Sequence, residues 1–300
     1  MECAQGSRHE LNYIAETVFG ETPATPVFKS FRNTGTTLEL SKTSIVSEEL
    51  RSDEQISDFR GGNRQVGGDI SMELSADSFD DMLEAALGGT WANDILKAGT
   101  TKRSFTLERK FADITQYLRY TGMVVSGMAL SVQPDTMVTG SFTFIGKNQE
   151  SDTVIVTGAT YEAATTTTPF DSFSGTITEG GVAIATVTGI DLTLDRGSEA
   201  SFVIGDPTTP CITNGKSNLT GTLTAQFNDA VMLTKFIDEA ESSLTFSLTD
   251  GTKTQTYNIP RIKYTGGSVP VSNDGFVAIS LPFQALLDST EESNIKITRS

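Results

Sequence analysis

The 300-residue chain has a single histidine, His9, two cysteines, Cys3 and Cys211, and a single tryptophan, Trp91. One histidine rules out multi-histidine metal centres and most zinc sites, and allows a Ser-His-Asp triad only if His9 serves it. His9 lies in a polar N-terminal stretch with no recognisable partner, so no catalytic residue is assigned. Two cysteines are too few for a disulfide framework and read as free thiols of a reducing compartment. Positive charge is also scarce. There are 22 Lys plus Arg against 38 Asp plus Glu, a formal net charge of −16. That balance counts against ordinary tight nucleic-acid binding, which relies on basic side chains at phosphates, but not against handling DNA without gripping it. No apolar run approaches the roughly 18 residues of a membrane span. Residues 1–15 lack the basic-then-apolar order of a secretory signal, so a soluble, unexported chain is expected.

What is present is Thr, Ser and Gly, with apolar residues that alternate. Leu38 and Leu40 sit between Thr37, Glu39 and Ser41, and Ile70, Met72 and Leu74 alternate with Asp69, Ser71 and Glu73. Phe142 and Phe144 repeat the pattern, which is that of half-buried antiparallel strands. Turn residues punctuate them at Gly61-Gly62-Asn63, Gln133-Pro134-Asp135 and Asn273-Asp274-Gly275. Two segments break the period. Residues 75–87 place Phe79, Met82, Leu83 and Leu87 at helical spacing behind Ser/Asp capping residues. Residues 228–240 do the same with Val231, Leu233, Phe236 and Ile237. Phe79, Met82, Leu83, Leu87, Leu233, Phe236 and Ile237 are the expected helix core.

The chain reads as duplicated. The strand around Gly35 matches that around Gly189, an offset of about 154 residues, and Gly68 matches Gly221 at about 153. The helices follow at the same offset, and Tyr120-Thr-Gly122 recurs as Tyr264-Thr-Gly266. Val132-Gln-Pro-Asp recurs as Val271-Ser-Asn-Asp, and Phe142-Thr-Phe144 as Leu281-Pro-Phe283, at roughly 140. Two domains are expected, 1–149 and 150–300. Each separates its first two core strands by a long polar segment, 41–65 and 195–218. Such loops in compact domains are usually functional arms. The first carries Ile45, Val46, Leu50, Ile56 and Phe59, a density of apolar side chains that suggests docking on a partner.

The remaining motifs read as structural. Gly61-Gly62 and Gly67-Gly68 precede a strand and lack the Lys-Ser/Thr of a phosphate loop. Asp80-Asp81 and Glu239/Glu241 are acid pairs without the aromatic platforms of a sugar cleft. Trp91 reads as a packing or interface residue, and Asn218-Leu219-Thr220 as the start of a strand. No metal site and no cofactor site is expected, and no enzyme. Acid placement is more informative. If Leu38, Leu40, Ile70, Met72 and Leu74 face the core, Glu39, Asp69 and Glu73 share the opposite face, with Asp191 and Asp195 on the equivalent side of the second copy.

Residues 61–91, GGNRQVGGDISMELSADSFDDMLEAALGGTW, resemble the tail tube (major tail) proteins of long-tailed bacteriophages, as does the later hairpin 120–144. The resemblance implies a mainly β fold: two tandem tube-type β-sandwich or barrel domains, each with one flanking α-helix. It also implies self-assembly, six domains to a ring, rings stacked into a hollow tube in the virion tail, and assembly in the host bacterial cytoplasm. Partners so implied are the tape-measure, terminator and baseplate or tip proteins, with transient passage of DNA and no membrane insertion. Two domains per chain then predict homotrimeric, pseudo-hexameric rings. Glu39, Asp69, Glu73, Asp191 and Asp195 would line the lumen, and the first arm would reach the neighbouring ring. Competing readings are a tube protein of a contractile injection system, a tandem β-sandwich adhesin or binding module, and an acidic hydrolase using Asp80 or Asp81.

Overall fold

The computed structural model describes residues 3–172, 175–271 and 275–300. The turn expected at Asn273-Asp274 lies outside the described residues, as does the repeat of Gln133-Pro-Asp at 272–274. The first half contains β1 (His9–Ala15), β2 (Val27–Ser30), β3 (Gly35–Thr36), β4 (Glu39–Val46), β5 (Phe59–Glu73) and α1 (Asp80–Leu87). It continues through β6 (Ile95–Lys97), β7 (Phe105–Phe111), β8 (Gln116–Val132), β9 (Thr139–Gly146), β10 (Asn148–Asp152) and β11 (Thr160–Tyr161). The second half contains β12 (Thr176–Glu179), β13 (Val182–Ala183), β14 (Val187–Asp195), β15 (Glu199–Val203), β16 (Asp206–Thr213) and β17 (Asn218–Gln226). After it come α2 (Val231–Ile237), β18 (Glu241–Thr249), β19 (Thr254–Tyr264), β20 (Ala278–Ala285) and β21 (Lys296–Arg299).

The protein is mainly β, as the alternation of apolar residues requires. One sheet runs through both halves in the order β4-β5-β9-β8-β14-β17-β20-β19. Long β8 serves two layers. Its first part pairs with β7 and β10, and its last part with β9 and β14, the change falling at a bulge between Val125 and Gly127. A bulge at that point lets one strand turn a sandwich corner. β19 does the same in the second half, pairing with β18 and β21 before it reaches β20. The sheets are not closed into a barrel, contrary to that part of the expectation. Among the described residues the outer edges of β4 and of the stretch following β19 have no strand paired beside them.

The core is the space between these layers. Phe31, Phe79 and Phe142 pack ring against ring at 5.7–6.3 Å, and Phe246 stacks on Tyr257 at 4.9 Å. Both helices are shorter than the periodicity predicts. α1 begins at Asp80, and its N-cap Phe79 makes no side-chain cap. Ser75 and Ser78 bond instead to each other, and Ser78 also to Thr165. The α1 face buries Met82, Leu83 and Leu87 as expected, with Phe79 beside them. In α2, Leu233 and Phe236 are only partly buried, and Ile237 is 67% exposed. Two turns of helix lying on the outer layer leave its last residue pointing past the sheet, so Ile237 is not core.

The two halves share a strand order. In each, the first strand pairs the second, the second pairs the last, and the last pairs the two-layer strand. β4-β5-β9-β8-β7 thus corresponds to β14-β17-β20-β19-β18. The irregularity between Phe105 and Leu107 on β7 recurs between Ser242 and Leu244 on β18. Register also corrects one sequence match. Tyr264 pairs with Phe283 as Val125 pairs with Phe144, so the counterpart of Tyr264-Thr-Gly266 is Val125-Ser-Gly127 and not Tyr120-Thr-Gly122. The expected junction at 149/150 falls inside β10, which pairs with β8, and Phe170 is fully buried against the first half.

Candidate functional site

Period-two alternation along eight adjoining strands puts every second side chain on the face opposite the core. Glu39, Asp69, Glu73, Asp191 and Asp195 are all exposed on that face. Cross-strand register arranges them in rows. One row runs Glu73, Thr139, Ser131, Asp191, Thr222, Pro282. Four residues along the strands, about 13 Å at ~3.3 Å per residue, a second runs Asp69, Thr143, Gly127, Asp195, Asn218. Between them lies a row that is uncharged over six strands, Ser71, Ser141, Ala129, Thr193, Thr220 and Gln284, and reaches Lys263 on β19. These rows carry four carboxylates and one cation, Lys263 at the β19 end, 3.9 Å from Glu241.

Hydroxyl groups hold two of the acids. Thr143 Oγ1 donates to Asp69 Oδ1 at 2.6 Å, and Ser131 Oγ donates to Asp191 Oδ1 at 2.6 Å. Asp195 Oδ1 accepts the Gly197 amide at 2.7 Å. These neutral donors orient the carboxylates and bring no positive charge to them. The sequence reading missed the Ser/Thr partners, although strand parity on β8 and β9 would have found them.

The two arms are not the loops that were expected. Most of 41–65 is a hairpin, with β4 and β5 pairing as far out as Val46 and Phe59. Only its tip lacks strand pairing. Apolar side chains stand out along it: Leu50 is 99% exposed, Ile56 73% and Phe59 63%, with Ile45 and Val46 also exposed. Segment 195–218 forms the separate hairpin β15-β16. It lies against β5 and β9, with Ile212 buried. Backbone hydrogen bonding makes the difference: a long polar segment satisfies its amides more completely by pairing with itself than by remaining a loop.

The seam between the halves is β8 against β14, in which Leu192 faces Leu130 and Leu194 faces Met128. Gly127 belongs there because a Cβ would lie 2.9 Å from Leu194 O. Just beyond, Arg196 is buried and donates from Nη1 to Ala86 O in the last turn of α1 at 3.0 Å. A cation at that end opposes the partial negative charge of the helix C-terminus. Burial holds the Arg196 pKa below its ordinary value. Gly88 follows the helix at φ +66°, and a Cβ on it would come within 2.5 Å of Arg196 Nη1. Nothing in the sequence reading singled out Arg196.

The other acids are tied up structurally. Asp80 pairs with Arg299, and Asp81 pairs with Lys29 at 2.7 Å and accepts from Tyr13 Oη at 3.1 Å. Glu241 is bidentate with Arg261. Trp91 packs against the core under the Arg299 guanidinium, 4.4 Å from its centroid. Cys3 and Cys211 are both exposed and free. Among the described residues, no three His, Cys, Asp or Glu side chains are grouped to hold a metal ion. Nor is any helix long and apolar enough to cross a membrane.

Residues 6–285 match a family model described as phage tail tube protein. No curated protein matches the chain.

Proposed function

The chain belongs to the phage tail tube protein family, and from that premise we propose that its acidic sheet face lines the channel of a tube built from stacked rings of this chain. The observation that carries the reading is the face itself: carboxylates in rows across one continuous sheet, with neutral Ser, Thr and Ala between them and Lys263 at its β19 end. A basic wall would retain DNA by releasing its counterions. A carboxylate wall repels phosphate and keeps a passing duplex centred and mobile.

Shared strand order, register and bulge position in the two halves support descent from one duplicated tube domain. Six such domains per ring then require three chains, giving a pseudo-hexameric ring. Rotation that closes produces the ring, and axial repetition that does not close produces the tube. The exposed arm residues Ile45, Val46, Leu50, Ile56 and Phe59 contact a chain of the neighbouring ring, which removes their apolar surface from water. The tape-measure, terminator and tip proteins meet the same tube, at its lumen and its ends.

Lysine substitution of Glu73, Asp191, Asp69 and Asp195 together tests the lumen. Tubes are expected to assemble with normal diameter while DNA ejection from particles carrying them slows, most strongly at low salt. Unchanged ejection through intact tubes would remove these residues from the channel wall.

A further inference from the structure

The seam between β8 and β14 has three parts: antiparallel pairing of 127–132 with 190–195, the glycine that admits Leu194 O, and Arg196 on the last turn of α1. Each part has a counterpart at the open edges of the same chain. Beyond Tyr264 the backbone continues along β20, with Ser268 and Ser280 exchanging hydrogen bonds at 3.0 and 2.9 Å. Ala129 faces Ser141 at the corresponding place in the first half. On its other side the stretch 265–271 has no strand among the described residues, and Val271 is 75% exposed. Gly266 stands where Gly127 stands, yet only the Pro282 side chain approaches its Cβ position.

The opposite edge is β4, paired on one side only. Its Glu39–Ser41 stretch corresponds in register to Thr193–Asp195 on β14. Lys42 follows Ser41 as Arg196 follows Asp195. Lys42 lies directly opposite Arg64 on β5, and neither makes an ion pair among the described residues. Like charges facing each other across a ladder are unfavourable unless an anionic group joins them. Such a group is present at the end of α2, where Asp238 and Glu239 are exposed, an unfavourable place for acids unless a cation covers them.

We propose that the chain-to-chain junction of the ring repeats the internal seam. Glu39 of one chain faces Ser268 of the next and Ser41 faces Gly266, while Lys42 and Arg64 close on the C-terminal turn of that neighbour's α2. The inference rests on the ring reading and specifies its lateral contact. Pairing begins at Glu39 because the first-half strand is interrupted before it. Leu38 O turns away from the edge and accepts from Arg109 at 3.2 Å and Tyr120 at 3.3 Å. Internal and external seams then alternate around the ring, and every inner-sheet edge is covered.

Disulfide trapping tests the register. In a Cys3→Ser, Cys211→Ser background, Glu39→Cys with Ser268→Cys places two thiols on directly opposed antiparallel positions, within the Cα separation a disulfide accepts. The internal pair Ala129→Cys with Thr193→Cys calibrates the oxidation, and Glu39→Cys with Pro270→Cys is the shifted control. The expected result is covalent oligomers ending at three chains, formed several-fold more readily than in the shifted control. Rings seen by electron microscopy that stay unlinked at 39/268, or link better in the shifted pair, overturn the junction and leave the ring reading intact. Linked dimers without rings uphold the junction and overturn the ring reading. A concentrated chain that neither links nor assembles overturns both.

Discussion

His9 accepts a hydrogen bond at Nε2 from Arg109 Nε–H (3.1 Å) and packs on Phe111, an arrangement that needs a neutral imidazole. Burial, and after it the Arg109 charge, lowers its pKa below 6.5. The unfolded chain therefore takes up this proton at higher pH than the folded one. The His9 contribution to stability is present above pH 6.5 and is lost as pH falls from there through the folded pKa. Thermal unfolding at about pH 8 and about pH 5 is expected to show a larger loss in the parent chain than in His9→Gln, since this is the one imidazole present. Equal losses would show that the Arg109 contact does not bias protonation. The acids of the open sheet face illustrate a second residue-scale contrast: Asp69 and Asp191 are held by neutral hydroxyl donors, whereas Asp80 and Asp81 pair with the cations Arg299 and Lys29.

Elements of the same type differ here by what covers them. α1 is enclosed by β1, by the Arg196 contact and by Arg299 of β21, and Leu83 is 1% exposed. α2 has no fully buried residue. Leu83→Ala should cost about 2–5 kcal/mol, and Leu233→Ala less than half of that, because its site is already partly open to water. Urea unfolding of the two variants decides this, and equal costs would show α2 to be as tightly packed as α1. The long strands β8 and β19 are the elements that make a two-layer half from one chain, and their bulges mark where each changes layer.

At the scale of the whole molecule, the open edges and the stoichiometry are one question. On the proposed reading of two tube domains per chain, rings of three chains are expected, each chain 32.1 kDa. Charge-detection mass spectrometry of detached rings is expected to give three. A count of six would place one half of each chain outside the channel wall. An exposed strand edge is normally blunted against aggregation. Here β4 instead extends into a hairpin tipped with apolar side chains, which fits an edge meant to be covered on assembly.

The β class and the parity that gathers Glu39, Asp69, Glu73, Asp191 and Asp195 on one face were legible in the sequence, as were the matched segments that suggest a repeat. Side-chain direction along a strand is strictly local, and turn residues mark strand ends. The helices were legible as to place but not length, since the first Ser/Asp residues of 75–87 bond to their surroundings instead of capping. The fate of Ile237 was not legible, because periodicity cannot say whether anything packs over a helix. Nor were the hairpin in each arm, the β8–β14 seam or the role of Arg196. The seam and the Arg196 contact depend on which segments meet across some 60 to 110 residues of sequence, and the hairpins on pairing that a polar composition does not announce. Local pattern determined what each strand presents. Only the tertiary structure decided which edges are joined and which stay open, because pairing partners are chosen by the packing of the whole sheet.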